Sequence, residues 1–142
     1  LIDVRTDAEF AYVGSPDLST LKKPVHRISW KLFPDMRRNP HFEEAVKDAV
    51  PSEDVPILFL CRSGVRSVAA ATAMATLGYA RCYNVTEGFE GDCSEAGHRG
   101  TVGGWNVDDI AAARRFCQTG IIKESHDASA FSCKAVTQRG VF

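Results

Sequence analysis

Four consecutive apolar residues, Ile57, Leu58, Phe59 and Leu60, stand near the centre of the chain, and their lack of alternation predicts a strand covered on both faces. Leu1, Ile2, Asp3 and Val4 read as the buried end of another strand, residues 24–28 as a weaker one, and Cys82, Tyr83, Asn84 and Val85 as a further short one. Helical patterns separate them. Thr6 and Glu9 have the capping-box spacing, which predicts a helix through Tyr12 that ends at the Gly14-Ser15-Pro16 cluster. Phe42, Ala45, Val46, Ala49 and Val50 form the apolar stripe of an amphipathic helix, with Asn39 expected as its N-cap and Pro40 as its first residue. Residues 67–77 are rich in alanine, and Gly78 stands where a helix C-terminus favours glycine. Strand and helix alternate in the manner of an α/β fold with a parallel sheet.

Beyond Gly88 the pattern changes to an ordered, glycine-punctuated loop through Trp105. One more helix is expected over 108–117, capped by Asp108, and a loosely held tail over 123–142. The organisation is therefore one domain over 1–105 and an atypical C-terminal extension over 106–142. The 142 residues carry 17 Lys plus Arg and 18 Asp plus Glu, for a net charge of −1, and are 44% hydrophobic. That is ordinary globular usage, which excludes a disordered or disulfide-dense chain. The near-neutral balance lacks the basic footprint of a nucleic-acid binder. No apolar run approaches the roughly 20 residues of a membrane span. Neither nucleic acid nor a membrane is an expected partner.

Five cysteines make an odd count without a CxxC pair, and four scattered histidines complete no ligand cluster, so no metal site is expected. This usage points to a reduced, cytoplasmic setting. The chain opens at Leu1 inside a strand without Met, which leaves room for a targeting segment upstream.

The chemistry is expected in Cys61, Arg62, Ser63, Gly64, Val65, Arg66 and Ser67, between the most buried strand and the best helix. Ligands of open α/β sheets bind beyond the carboxyl ends of strands, and Cys61 directly follows Leu60. The loop leads into a helix N-terminus, whose free N–H groups favour an anion, and Gly64 lets successive N–H groups face one point. No Asp, Glu or Lys occurs from 61 to 86, whereas Arg62, Arg66 and Arg81 do, so the local field is expected to be cationic. A thiol of ordinary pKa is only about 3% ionised at pH 7. Nucleophilic work at Cys61 calls for about 2.7 kcal/mol of thiolate stabilisation, a displacement of about two pH units. A cysteine at a strand end is ordinarily a small buried hydrophobe. Gly64, two arginines and a helix start at this spacing favour the nucleophile instead.

Residues 61–67 resemble the active-site loop of the rhodanese, or thiosulfate sulfurtransferase, family of single-domain type. Asp3-Val4-Arg5 with Glu9-Phe10, and Leu77-Gly78-Tyr79 with Val85, Glu87-Gly88 and Phe89, are similar to its flanking segments. The resemblance implies a three-layer rhodanese-like fold, a central parallel sheet flanked by helices, with one further edge strand preceding Leu1. It implies that Cys61 carries sulfane sulfur as a persulfide from a small anionic donor to a thiol, cyanide or a sulfur-acceptor protein. Arg62 and Arg66 would then bind the donor, and the backbone N–H groups of Arg62, Ser63, Gly64, Val65, Arg66 and Ser67 the transferred sulfur, with no cofactor. Asp3, Arg5 and Glu9 read as scaffold: a strand-end carboxylate, its ion partner and a cap. The chain departs from the family pattern at 14–18 and again after Trp105.

Two other functions are weighed against this one. A Cys-based phosphatase or arsenate reductase on the same fold spaces its Cys and Arg with five residues between, and four separate Cys61 from Arg66. A non-catalytic rhodanese-like binding module is the other, and the presence of Cys61 argues against it.

Overall fold

The computed structural model describes residues 1–105, 133–137 and 140–141. Strand β1 is Ile2–Asp3, followed by helix α1 (Asp7–Val13), a 3-10 turn (Ser19–Leu21), β2 (His26–Arg27), β3 (Lys31–Leu32) and β4 (Arg37–Arg38). Helix α2 (Phe42–Ala49), β5 (Ile57–Leu60), α3 (Val65–Thr76), β6 (Cys82–Val85), β7 (Cys133–Thr137) and β8 (Gly140–Val141) complete the described elements. The main sheet has the order β2-β1-β5-β6-β7-β8, and β3 and β4 pair separately. Strands β2, β1, β5 and β6 run parallel, in the register Ile2↔His26, Ile2↔Phe59 and Ile57↔Cys82. This is the expected central parallel sheet with flanking helices.

The unbroken apolar run of β5 serves two faces. Ile57, Phe59 and Cys61 join one core cluster with Phe42 and Val46 of α2 and with Ala70, Ala71 and Met74 of α3. Leu60 and partly buried Leu58 belong to a second cluster with Val85, Phe89 and Trp105. Trp105 thus fills the face opposite the Cys61 cluster. Phe42 is fully buried and meets Trp30 edge-on, the ring centroids 4.9 Å apart. Burial of such a ring contributes about 2–3 kcal/mol.

The Thr6–Glu9 capping box forms as its spacing predicts. The cap of α2 does not. The helix starts at Phe42 with His41 at the N-cap, two residues later than Asn39 and Pro40 suggest. The Asn39 side chain instead accepts from the His41 N–H at 3.0 Å and donates to the Ser29 carbonyl at 2.9 Å, which ties the β3–β4 segment to the start of α2. A side chain able to form an Asx turn competes with its own capping role.

The tail expected over 123–142 is corrected in part, because β7 and β8 lie within it and extend the sheet antiparallel, with Val85↔Cys133 and Thr137↔Gly140. The outer edge of β6 offers unpaired backbone groups, and β7 satisfies them. The helix expected over 108–117 lies outside the described residues.

Candidate active site

The carboxyl ends of the parallel strands bring three segments together: residues 4–6 after β1, 61–64 after β5 and 86–90 after β6. Cys61 continues β5, is 1% exposed, and points to the face that α3 covers. Its Sγ accepts hydrogen bonds from the Gly64 N–H and the Ser67 hydroxyl, each at 3.1 Å. The Ser67 hydroxyl also lies 3.0 Å from the Gly64 carbonyl. With one proton and two acceptors, that hydroxyl donates to the sulfur when the sulfur is anionic, since a charged acceptor makes the stronger bond.

Close backbone packing shapes the loop. Gly64 has φ +91, and a Cβ there would stand 1.9 Å from the Thr86 carbonyl oxygen. Gly88 has φ +67, and a Cβ there would stand 2.5 Å from the Cys61 carbonyl oxygen. The Phe89 N–H donates to the Cys61 carbonyl at 2.7 Å and the Glu90 N–H to the Arg62 carbonyl at 2.9 Å. These bonds satisfy the Cys61 and Arg62 carbonyls, and the Gly64 N–H is the backbone donor bonded to the sulfur. Helix α3 then begins at Val65, two residues before the alanine-rich pattern, so its N-terminus lies at the sulfur.

The arginines differ sharply in their surroundings. Arg62 is exposed, Ser63 is half-buried, and Val65 is 77% exposed. Arg66 is mostly buried and gripped by Glu9 through two bonds, Nη1 to Oε2 at 2.7 Å and Nη2 to Oε1 at 2.6 Å. Burial works against the ionised form of Glu9, but the Arg66 and Thr6 bonds prevail and lower its pKa from 4.5 to about 2. Burial likewise opposes the charge on Arg66, yet Glu9, with smaller effects of Cys61 and Asp3, holds it above its ordinary value. Arg5 is wholly buried, paired with Asp3 at 2.7 Å and stacked 4.0 Å over the Phe89 ring. Such a pair contributes mainly by holding one geometry, because desolvation offsets its attraction.

Asp3 and Arg5 thus form the expected scaffold, and Glu9 is more than a cap. The cationic field expected from the acid-free run at 61–86 is corrected: Glu9 neutralises Arg66 from 57 residues away. Nothing in local spacing announces that pair, although the isolation of Arg66 from any acid in its own segment is a signal that its partner must come from elsewhere. Arg81 follows the far end of α3, just before β6 starts, and is no part of this mouth. Among the other cysteines, Cys82 is buried and Cys93 exposed. Burial pushes the Cys82 thiol up to about 11. An open groove between β2 and α2, lined by His26, Arg27, Ala45 and Asp48, lies apart from Cys61.

A central parallel sheet flanked by helices, with Cys61 at the carboxyl end of β5 and at the start of α3, makes this an α/β protein. The sequence signature of the rhodanese-like domain matches residues 1–95, and the chain belongs to that family. It is 41% identical over 97 residues to an uncharacterized protein of Rickettsia conorii, covering 68% of this chain and 74% of that one. The rhodanese-like domain-containing protein 9, chloroplastic, of Arabidopsis thaliana is 34% identical over 85 residues, 57% of this chain and 36% of that one. The crystal structure of Rv0390 from M. tuberculosis superposes with a TM-score of 0.68 at 42% identity, covering 75% of this chain and 76% of the other. Among the described residues, no helix is long and apolar enough to cross a membrane.

Proposed function

We propose that the protein is a sulfurtransferase that moves sulfane sulfur from thiosulfate or a related donor to a thiophilic acceptor through a persulfide on Cys61. The observation that carries the reading is the pair of donors on Sγ, the Gly64 N–H and the Ser67 hydroxyl. Donors fixed on a sulfur stabilise its anion, which is the attacking species. In the first half-reaction the Cys61 thiolate attacks the outer sulfur of the donor. The donor S–S bond breaks, and the leaving group, sulfite in the case of thiosulfate, departs with the electron pair. In the second, a thiol, cyanide or an acceptor protein attacks the outer sulfur and the Cys61 thiolate is released. Sulfur is both the attacked and the leaving atom, so the scheme uses no metal or organic cofactor.

Arg62 lies open to the donor, and Arg66 contributes N–H groups not engaged by Glu9, since a guanidinium has five. On this reading Ser63 and Val65, in the same loop, border the entry. A reducing compartment such as the cytoplasm suits a reaction run by a free thiol. The test is thiosulfate-dependent sulfite release beside hydrolysis of p-nitrophenyl phosphate. Sulfite release that disappears in Cys61→Ser supports sulfur transfer. Efficient phosphate ester hydrolysis without sulfite release makes the protein a phosphatase, and neither activity makes it a binding module.

A further inference from the structure

We infer that Glu9 is a specificity-determining residue, which cancels the charge of Arg66 and so selects singly charged sulfane donors with an organic leaving group over dianionic thiosulfate. The inference rests on the sulfur-transfer reading and deepens it. The arginines around the loop are largely committed to acids. Arg5 is spent on Asp3 in a fully buried pair. Arg66 is spent on Glu9, which bonds two of its nitrogens and also the Thr6 N–H and hydroxyl. Glu9 is therefore held from two sides.

Among the described residues Arg62 is left as the cation of the loop without an acid partner, against the negative charge of a Cys61 thiolate. A donor thus meets a mouth with no net positive charge. Attraction to Arg62 and repulsion from the thiolate oppose each other for every negative charge on the donor, so the second charge of a dianion adds a desolvation cost without net attraction. Val65, 77% exposed at the start of α3, gives the loop an apolar surface, which suits a carbon substituent better than an oxyanion.

Methanethiosulfonate and thiosulfate make the comparison clean. They present the same sulfur–sulfur bond, and a methyl group in one replaces a charged oxygen in the other. With methanethiosulfonate the Cys61 thiolate attacks the outer sulfur, the S–S bond breaks, and methanesulfinate leaves with the electron pair. The experiment compares the two donors as substrates of the wild-type chain and of Glu9→Gln, following release of the leaving group with cyanide as acceptor. Gln at this position preserves the capping box and removes the charge. We expect wild type to favour methanethiosulfonate in kcat/KM. The variant should gain about tenfold in kcat/KM with thiosulfate, chiefly through KM, so that the ratio between the donors narrows. An unchanged ratio in Glu9→Gln, or a wild-type preference for thiosulfate, overturns the inference while sulfur transfer stands. Should neither donor place sulfur on wild-type Cys61, the sulfur-transfer reading falls and takes this inference with it. If Glu9→Gln does not fold, the salt dependence of the wild-type enzyme decides. Thiosulfate turnover that is flat or rises with salt fits a mouth without net positive charge, and turnover that falls steeply contradicts it.

Discussion

Replacing Gly64 with alanine puts the closest contact of the site to the test. The new Cβ would stand 1.9 Å from the Thr86 carbonyl oxygen, where ordinary contact begins at 3.4 Å. Either the Cys61 loop or the 86–90 segment must therefore retreat by more than an ångström. The left-handed backbone, φ +91, costs a non-glycine residue about 1–2 kcal/mol by itself. A retreat also stretches the Phe89 N–H to Cys61 carbonyl bond of 2.7 Å and the Glu90 N–H to Arg62 carbonyl bond of 2.9 Å. Each is worth about 1 kcal/mol net. Together these give about 3–4 kcal/mol, or a fall in Tm of roughly 10 °C for a domain of this size. Gly97→Ala is the control, because Gly97 has φ +79 but nothing within 4 Å of its added Cβ, and so carries the strain without the clash. Thermal melting of both variants by circular dichroism, with thiosulfate-dependent sulfite release measured alongside, reads the difference. Gly64→Ala should melt well below Gly97→Ala and lose sulfite release. Equal melting temperatures and retained release would refute the packing argument.

Two further outcomes follow from the titrating groups. Glu9 has its pKa lowered from 4.5 to about 2 in the folded chain, so the folded state binds fewer protons than the unfolded one between those values. Its contribution is complete above pH 4.5 and is lost as pH falls toward 2. That interval is worth at most about 3.4 kcal/mol at 1.36 kcal/mol per pH unit, and solvent access to the pair reduces it to about 1–2 kcal/mol. Urea unfolding at pH 5 and pH 3 should therefore show a smaller pH-dependent loss in Glu9→Gln than in wild type, and an identical loss contradicts the assignment. Cys82, buried and with its thiol pushed up to about 11, should resist iodoacetamide at pH 8 in the folded chain, whereas exposed Cys93 is modified. Peptide mapping checks this, and rapid labelling of Cys82 would show that its burial is misjudged.

The parallel part of the fold was legible because its determinants are local. Ile57 to Leu60 lack alternation since β5 is packed on both faces, and the Thr6–Glu9 spacing encodes α1 directly. The turn from β5 into α3 was legible for the same reason, since residues 61–67 are adjacent, whereas the Ser67 hydroxyl on the Cys61 sulfur was not foreseen. The shortest strands and pairing over long separations were not. Strands β3 and β4 are two residues each, too short to show a period, and Lys31, Arg37 and Arg38 carry no apolar pattern. Strand β7 is defined by the open edge of β6, which its own residues do not announce. Glu9 reads as a cap from its neighbours, and only the folded chain brings it onto Arg66. The same blindness made the loop look more cationic in sequence than it is in three dimensions.

The claim that Cys61 is the sulfur carrier is tested most directly by intact mass spectrometry after brief exposure to a sulfane donor and removal of the excess. The wild-type chain should gain about 32 Da, one sulfur atom, that maps to Cys61, is discharged by cyanide and is absent from Cys61→Ser. A gain that persists in that variant, or no gain with either thiosulfate or methanethiosulfonate, would contradict it.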